Sequence, residues 1–239
     1  MTETQPKIDA SGTAMESSGV EHMLSFYDEL GVEEALVTKE KHGGEVTVLT
    51  LGPAEASKEV RECLAKGADQ GVILADADWN KRDCRATAKA LAAKIGELGA
   101  DLVFTGWVAT DRDNAAVGPM LATYLDYACV TNVIELSIDG TTGTAKRESE
   151  AGIETYTFSL PAVITCQKGL NEPRRAGLKG IMAAKKKAVE EVPFEEVANQ
   201  AEVTGLSLPP ARSEGRIVGE GAAAVPALIE ALRNEAQVL

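Results

Sequence analysis

The hydrophobic pattern of the first half of the chain alternates between two periods. Residues 45–51 (EVTVLTL) form a β-branched apolar run closed by Gly52-Pro53, and an alanine-rich stretch with helical spacing follows as far as Lys66-Gly67. Residues 71–75 (GVILA) repeat the buried-strand pattern, and the segment 82–98 then places Ala88, Leu91, Ile95 and Leu98 on one helical face before Gly99 ends it. Residues 101–106 (DLVFTG) are a third such strand, leading through WVATDRDN into a helical stretch over 114–126. Strands alternating with helices of this length predict an α/β fold with a mainly parallel sheet covered on both faces.

From 129 the rhythm changes. Residues 130–138 (VTNVIELSI), 142–148 (TGTAKRE), 153–160 (IETYTFSL) and 162–166 (AVITC) read as strands, with turn signals at Asp139-Gly140 and Ala151-Gly152 and a hairpin among them. Beyond about 190 the Pro-, Glu- and Ala-rich chain reads as an extended arm, giving a main domain over 1–190 and an arm over 191–239. The end of the arm carries Val225, Leu228, Ile229, Leu232 and Ala236 at helical spacing, with Pro226 suited to a first turn. An amphipathic helix of this kind lies either on its own domain or on another subunit.

Composition narrows the function classes. The 239 residues are 44% hydrophobic, enough for one large domain core, and 24 basic against 37 acidic residues leave a net charge of −13. That charge argues against a general nucleic-acid or anionic-membrane binder. Cys63, Cys84, Cys129 and Cys166 are spread singly and read as reduced small hydrophobes. With His22 and His42 the only histidines, a His-based triad or multi-His metal site is excluded. No run approaches the roughly 18 apolar residues of a membrane span. The start MTETQPK lacks signal-peptide features, so the expectation is a cytoplasmic chain, or an organellar one.

Three stretches carry candidate chemistry. In open α/β sheets, ligands sit beyond the carboxyl ends of strands, where helix N-termini offer free N–H groups to anions. The segment from Ala109 to Met120 occupies such a place, and Thr110 with Asp113 makes a T-x-x-D helix-start signature. Gly118 would let a phosphate approach the backbone, Thr110 and Asn114 can donate hydrogen bonds and Arg112 can supply charge; the same spacing also suits an ordinary capped helix start. A second helix start lies at Ser25-Phe26-Tyr27-Asp28, with Ser25 as cap, and shares a ligand with the first only if its helix lies beside the third-strand loop. Third, Lys168, Arg174, Arg175, Lys179, Lys185, Lys186 and Lys187 crowd residues 168–187 against the one acid Glu172, as either a solvated loop or a docking surface for an acidic partner. Leu178 within it is an exposed anchor or a buried loop leucine.

The segment LNEPRRAGLKGIMAAKKK, residues 170–187, resembles the signature L-N-E-P-R-Y-x-x-L-x-x-I-M-x-A-K-K-K of electron transfer flavoprotein β subunits. YDELGVEEAL (27–36), GADQGVIL (67–74) and DLVFTGWVATDRDNAAVGPMLATYLDY (101–127) are similar to further blocks of that family, without large gaps between them. The resemblance implies a three-layer α/β domain of the adenine-nucleotide-binding type whose pocket binds AMP, while FAD sits mainly on a partner α subunit. Carried over position by position, the pocket comprises Ser25, Phe26, Tyr27, Asp28 and Leu51 with Ala109, Thr110, Asp111, Arg112, Asp113, Asn114, Ala115, Ala116, Val117, Gly118, Pro119 and Met120. Leu178 would lie in a recognition loop over 168–187, with Arg174, Lys185 and Lys186 around it, that anchors partner dehydrogenases, and the arm would wrap the α subunit. The implied role is an electron carrier that takes electrons from flavin dehydrogenases and passes them to a quinone-linked or other acceptor. No residue of this chain then needs to act as acid, base or nucleophile.

The sequence also departs from that family. Its members open with a hydrophobic strand of the form K-x-L-V-x-x-K-x-V-P-D, which is absent before Thr2, so the expectation is a late-assigned start or a shortened chain, with one wall of the pocket missing. Ser25-Phe26 stands in place of Asn-Pro. The run D-R-D-N-A-A-V-G-P lies between the AMP-binding pattern and the D-x-D-x-x-Q-V-G-P of flavin-bifurcating members, which hold a second FAD there and oxidise NADH. Both nucleotides therefore stay open as expectations.

Overall fold

A computed structural model describes residues 6–16, 18–211 and 214–239. They divide into two compact units: a larger one ending at Glu202, and a smaller one that joins Pro6–Glu16 to Val203–Leu239. The larger unit contains α1 (Phe26–His42), β1 (Thr47–Gly52), α2 (Ser57–Lys66), β2 (Gln70–Ala75), α3 (Cys84–Leu98), β3 (Leu102–Gly106) and α4 (Val117–Leu125). It continues with β4 (Ala128–Asp139), β5 (Thr142–Ser149), β6 (Gly152–Ser159), β7 (Ala162–Cys166), α5 (Leu178–Ala184) and β8 (Val189–Val192).

The alternating half of the chain folds as its periodicity predicts. Helix α3 shows the local reasons: the Asp83 carboxylate accepts from the Ala86 N–H at 2.6 Å at its start, and Gly99 takes the left-handed conformation (φ 63°) that ends it. Such an N-cap contributes about 1 kcal/mol. Two elements were not expected. Residues 178–184 form the short helix α5 within a stretch read as loop, and Val189–Val192, at the end of the presumed main domain, pair with β2 as β8.

The strands form two sheets rather than one. β1, β2 and β8 pair in that order, all parallel; β3, β7, β4, β5 and β6 form the second, parallel from β3 to β4 and antiparallel from β4 to β6. β1 and β3 thus each keep one unpaired edge among the described residues. Consecutive side chains show that both faces are covered. Val48 joins a cluster with Leu36 of α1, Val60 and Leu64 of α2 and Ile73, whereas Leu49 joins Ala88, Ile95 and Leu121 of α3 and α4. Leu102 and Phe104 pack on Leu30 of α1, and Val103 turns to the α3–α4 cluster. Helices α1 and α2 therefore lie on one side and α3 and α4 on the other, giving three layers.

Residues 170–187 are held on α1 and α2 by specific contacts. The Asn171 amide donates to the Leu30 carbonyl (3.1 Å) and to Glu34 Oε2 (2.9 Å), and Arg174 forms ion pairs with Glu33 and Glu40. Lys187 Nζ donates to the Ala68 carbonyl at 2.5 Å and the Leu64 carbonyl at 3.4 Å, satisfying groups at the end of α2, while the Arg61 guanidinium donates to the Ala184 carbonyl. Helix α5 approaches so closely that a Cβ at Gly180 would lie 2.1 Å from the Ala65 carbonyl oxygen.

In the smaller unit, Ile8 and Met15 form a single antiparallel bridge, and α6 (Val225–Asn234) is the terminal helix with Pro226 in its first turn. Its apolar residues Val225, Leu228 and Ile229 are exposed.

Replacing Gly180 with Ala should lower the urea midpoint of the chain by the equivalent of about 1–3 kcal/mol, because a backbone oxygen cannot yield as a side chain would. Gly177→Ala, where a Cβ meets nothing within 4 Å, should leave the midpoint unchanged.

Candidate functional site

β1 is an edge of one sheet, next to β2, and β3 is an edge of the other, next to β7. In open α/β folds ligands sit beyond the carboxyl ends of the strands. Here β1 ends at Leu51 and Gly52, and β3 ends at Gly106.

Helix α1 begins beside the end of β3. The Gly106 N–H donates to Asp28 Oδ1 at 3.0 Å, and a Cβ at Gly106 would stand 2.9 Å from that oxygen and 2.9 Å from Tyr27 Cβ. Only glycine permits this approach. Tyr27 meets Trp107 edge to face at 5.7 Å, and the Trp107 N–H donates to the Cys166 carbonyl, which fixes the chain as it leaves β3. The condition for a shared site is thereby met: the start of α1 and the third-strand loop adjoin.

Surrounding protein raises the Asp28 carboxyl above the ordinary carboxylate range, with the Gly106 N–H acting the other way. The side chain nonetheless keeps an exposed face, so water tempers the rise. Ser25 is the N-cap position of α1, but its hydroxyl makes no capping bond; Oγ is buried and has no partner among the described residues. A buried hydroxyl without a partner costs free energy.

The loop from Ala109 to Ala116 differs from the expected helix start. Thr110 caps nothing: Arg112 and Asp113 N–H groups donate back to the Ala109 carbonyl, Asp113 and Ala115 take positive φ (52° and 47°), and α4 begins only at Val117 with no side-chain cap at Ala116. Residues at positive φ cannot lie within the helix, which accounts for its late start. The first N–H groups of α4 are left to the loop, a disposition suited to an anion. Gly118 has a packing reason of its own, since a Cβ there would meet Thr165 Cγ2 at 2.6 Å and Thr105 Oγ1 at 3.1 Å.

Arg112 is engaged within the protein. Its guanidinium donates to the carbonyls of Asn80 (2.6 Å) and Arg82 (3.2 Å) and lies 6.0 Å from the centre of the Trp79 ring. Asn114 donates to Cys84 Sγ at 3.3 Å. Arg82 in turn pairs with the buried Asp76 at 2.7 Å, and the Asp76 N–H donates to the Gly52 carbonyl at 2.9 Å. The loops that follow β1, β2 and β3 are thus joined through Asp76, Arg82 and Arg112. Nothing in one dimension marked Asp76 or Arg82, because their partners lie on separate loops. Leu51 is half-buried at the strand end, and Thr110, Asp111 and Met120 are exposed. Phe26 is 45% exposed and leans edge-on against Tyr27.

Around α5 the basic residues divide into two groups. Arg174 and Lys187 are committed to α1 and α2, whereas Arg175, Lys179, Lys185 and Lys186 are exposed. Leu178 is 78% exposed, and Ile181 and Met182 are exposed beside it, so the leucine is not a buried loop residue. Cys63 and Cys166 are buried, with burial pushing the Cys63 thiol up to about 12, so neither suits thiolate chemistry. Among the described residues no helix is long and apolar enough to cross a membrane.

Residues 13–197 match the electron transfer flavoprotein domain. The chain is 37% identical over 246 aligned positions to the electron transfer flavoprotein subunit beta of Bacillus subtilis, covering 99% of this chain and 96% of that one. It is 36% identical to the corresponding subunit of Mycobacterium bovis, with 86% and 80% covered. Its identity to the Caffeyl-CoA reductase-Etf complex subunit CarD of Acetobacterium woodii is 37%, with 85% and 79% covered. With more than half its length matched by the family and relatives this similar along most of it, the chain belongs to the electron transfer flavoprotein family, in its β-subunit branch.

Proposed function

We propose that this chain is the β subunit of a heterodimeric electron carrier, holding AMP in the crevice beyond β1 and β3 and completing the surroundings of an FAD carried mainly by an α subunit. What supports the reading is a group of features around the end of β3: the Asp28 side chain bonded to Gly106, the buried, partnerless Ser25 hydroxyl at the start of the same helix, and the uncapped start of α4, whose Gly118 adjoins Thr105. A phosphate suits the free N–H groups of α4, and an adenosine suits a crevice bordered by Leu51, Tyr27 and Trp107. The engaged Arg112 shapes the loop and leaves anion binding to backbone N–H groups.

In this reading the flavin supplies the electron chemistry and the chain supplies position and electrostatics. Leu178, Ile181 and Met182, with exposed Lys179, Lys185 and Lys186 around them, form the surface offered to flavin dehydrogenases and to a quinone-linked or other acceptor. An apolar anchor in a basic rim suits an acidic partner. The arm and α6 supply an exposed apolar helix face for the α subunit.

A second reading replaces AMP with a second FAD that oxidises NADH, as part of a bifurcating complex. The Asp111-Arg112-Asp113 run and the likeness to a subunit of a caffeyl-CoA reductase–Etf complex favour it.

Chromatography of nucleotides released from the co-expressed heterodimer should give FAD and AMP in equal amounts; twice as much FAD and no AMP would assign the second reading. Leu178→Ala should slow reduction by a partner dehydrogenase about tenfold or more, as loss of an interface anchor does, and leave nucleotide content unchanged. Electron transfer at the wild-type rate would remove Leu178 from the docking surface.

Asp28 gives a pH signature. Its carboxyl is raised in the fold above 3.8, so the stability linked to its protonated form is present below that value and is lost as pH rises through the folded value. Asp28→Asn keeps an acceptor for Gly106 and has no such loss. Urea unfolding across a pH series should show the variant gaining on the wild type from about pH 4 upward and then running parallel. Parallel curves throughout would refute the raised carboxyl.

A further inference from the structure

The chain after β8 does not leave the larger unit directly. Residues 194–201 form no helix or strand, and among the described residues their main chain makes no main-chain hydrogen bond. Residues of the turn between β2 and α3 hold them instead. Asp83 Oδ2 accepts from the Gln200 and Ala201 N–H groups at 2.6 and 3.0 Å, while Oδ1 caps α3. The Asp83 N–H donates to Asn199 Oδ1 at 3.0 Å, and the Asn199 amide donates to the Lys81 carbonyl at 2.8 Å. Arg82 reaches Glu196 Oε1 with both terminal nitrogens at 3.1 Å and lies 5.7 Å from the centre of the Phe194 ring.

The same turn also holds the loop from Ala109 to Ala116. Arg112 donates to the Asn80 and Arg82 carbonyls, and Asn114 donates to Cys84 Sγ. Every residue from Asn80 to Cys84 is thus bonded to that loop, to residues 196–201, or to both. Arg82 is the meeting point, since Arg112 takes its carbonyl while Glu196 and Asp76 take its guanidinium. Hydrogen bonds to a charged group are about twice as strong as neutral ones, so Arg82, Asp83 and Arg112 dominate the set. The loop has reason to feel a slackening of the turn: Asp113 and Ala115 sit at positive φ, a conformation that only the surroundings maintain.

We propose that residues 194–201 are a working part of the nucleotide site: the turn 80–84 couples them to the 109–116 loop, so that a nucleotide bound at the loop fixes the start of the arm, and the start of the arm tightens the hold on the nucleotide. The inference rests on the reading given above that a nucleotide lies against this loop. Coupling of this kind is reciprocal by thermodynamic necessity, with typical factors of about 5–150. Asp83 is the positioning residue on the turn and Asn199 its counterpart on the arm; both act through the turn, and neither has to touch the nucleotide.

Amide hydrogen exchange and calorimetric titration of the full chain, with AMP and separately with FAD, test this. Bound nucleotide should slow the Gln200 and Ala201 amides about tenfold relative to the Leu160 amide, which is bonded to the Thr141 carbonyl and to nothing in the turn. Asp83→Asn keeps a cap for α3 but sets an amide nitrogen where Oδ2 accepts, and Asn199→Ala removes the partner on the arm; each should raise the nucleotide Kd about tenfold. In an Arg112→Ala background the loop has already lost its charged hold on the turn, so either substitution should change Kd by no more than about twofold. Gln200 and Ala201 amides that do not respond to bound nucleotide, or variants that bind as tightly as the wild type, overturn the proposal and leave the nucleotide reading standing. A tenfold loss that persists in the Arg112→Ala background also overturns it, because the effect then belongs to a general loosening of the fold. Binding of neither AMP nor FAD refutes the nucleotide reading itself, and the proposal with it.

Discussion

Where β3 ends, the backbone of Gly106 comes so near the first turn of α1 that no side chain fits between them, and the amide there is held by the Asp28 carboxylate. Much of the molecule depends on that approach. It fixes α1 along β3 and β7, and α1 then presents three acids, Glu33, Glu34 and Glu40, on the side that receives Asn171 and Arg174. One helix thus meets the end of β3 with its first turn and holds residues 170–187 with its later turns. A displacement at Gly106 would be felt at both.

The second organising set is polar and runs between loops. Asp76, Arg82 and Arg112 join the ends of β1, β2 and β3 through one buried ion pair and several main-chain carbonyls. A buried pair of this sort is seldom a large net contributor to stability, but losing one partner leaves an uncompensated charge. It therefore serves to set one arrangement of the loops. Asp113 and Ala115 are held at positive φ within that frame, at a conformational cost of about 1–2 kcal/mol for the alanine.

The alternating half of the fold was legible because its period changes cleanly: β1, β2 and β3 and helix α3, with Asp83 and Gly99 at its ends, follow from local pattern and capping. The split into two sheets was not legible, since a single run of sequence does not say which strand edges find partners. The ends of the strands were partly legible. The start of α1 does adjoin the third-strand loop, but the T-x-x-D signature misled, because tertiary contacts of Arg112 and Asn114 override the local preference of Thr110 for a cap. The basic stretch was read as uniform; only the fold separates Arg174 and Lys187, which face carboxylates and carbonyls, from Lys185 and Lys186, which face water.

That separation has a consequence for how the protein responds to ionic strength. At about 0.15 M salt, exposed charges lose sight of one another beyond roughly 8 Å, whereas partly buried pairs are screened far less. Arg174, shared between Glu33 and Glu40, will hold residues 170–187 in place across a wide range of salt. The neighbouring exposed lysines will exert their long-range pull only at low salt. The same stretch of chain therefore contains a fixed anchor and an adjustable charge, so ionic strength changes how far that charge reaches without altering the fold that holds it.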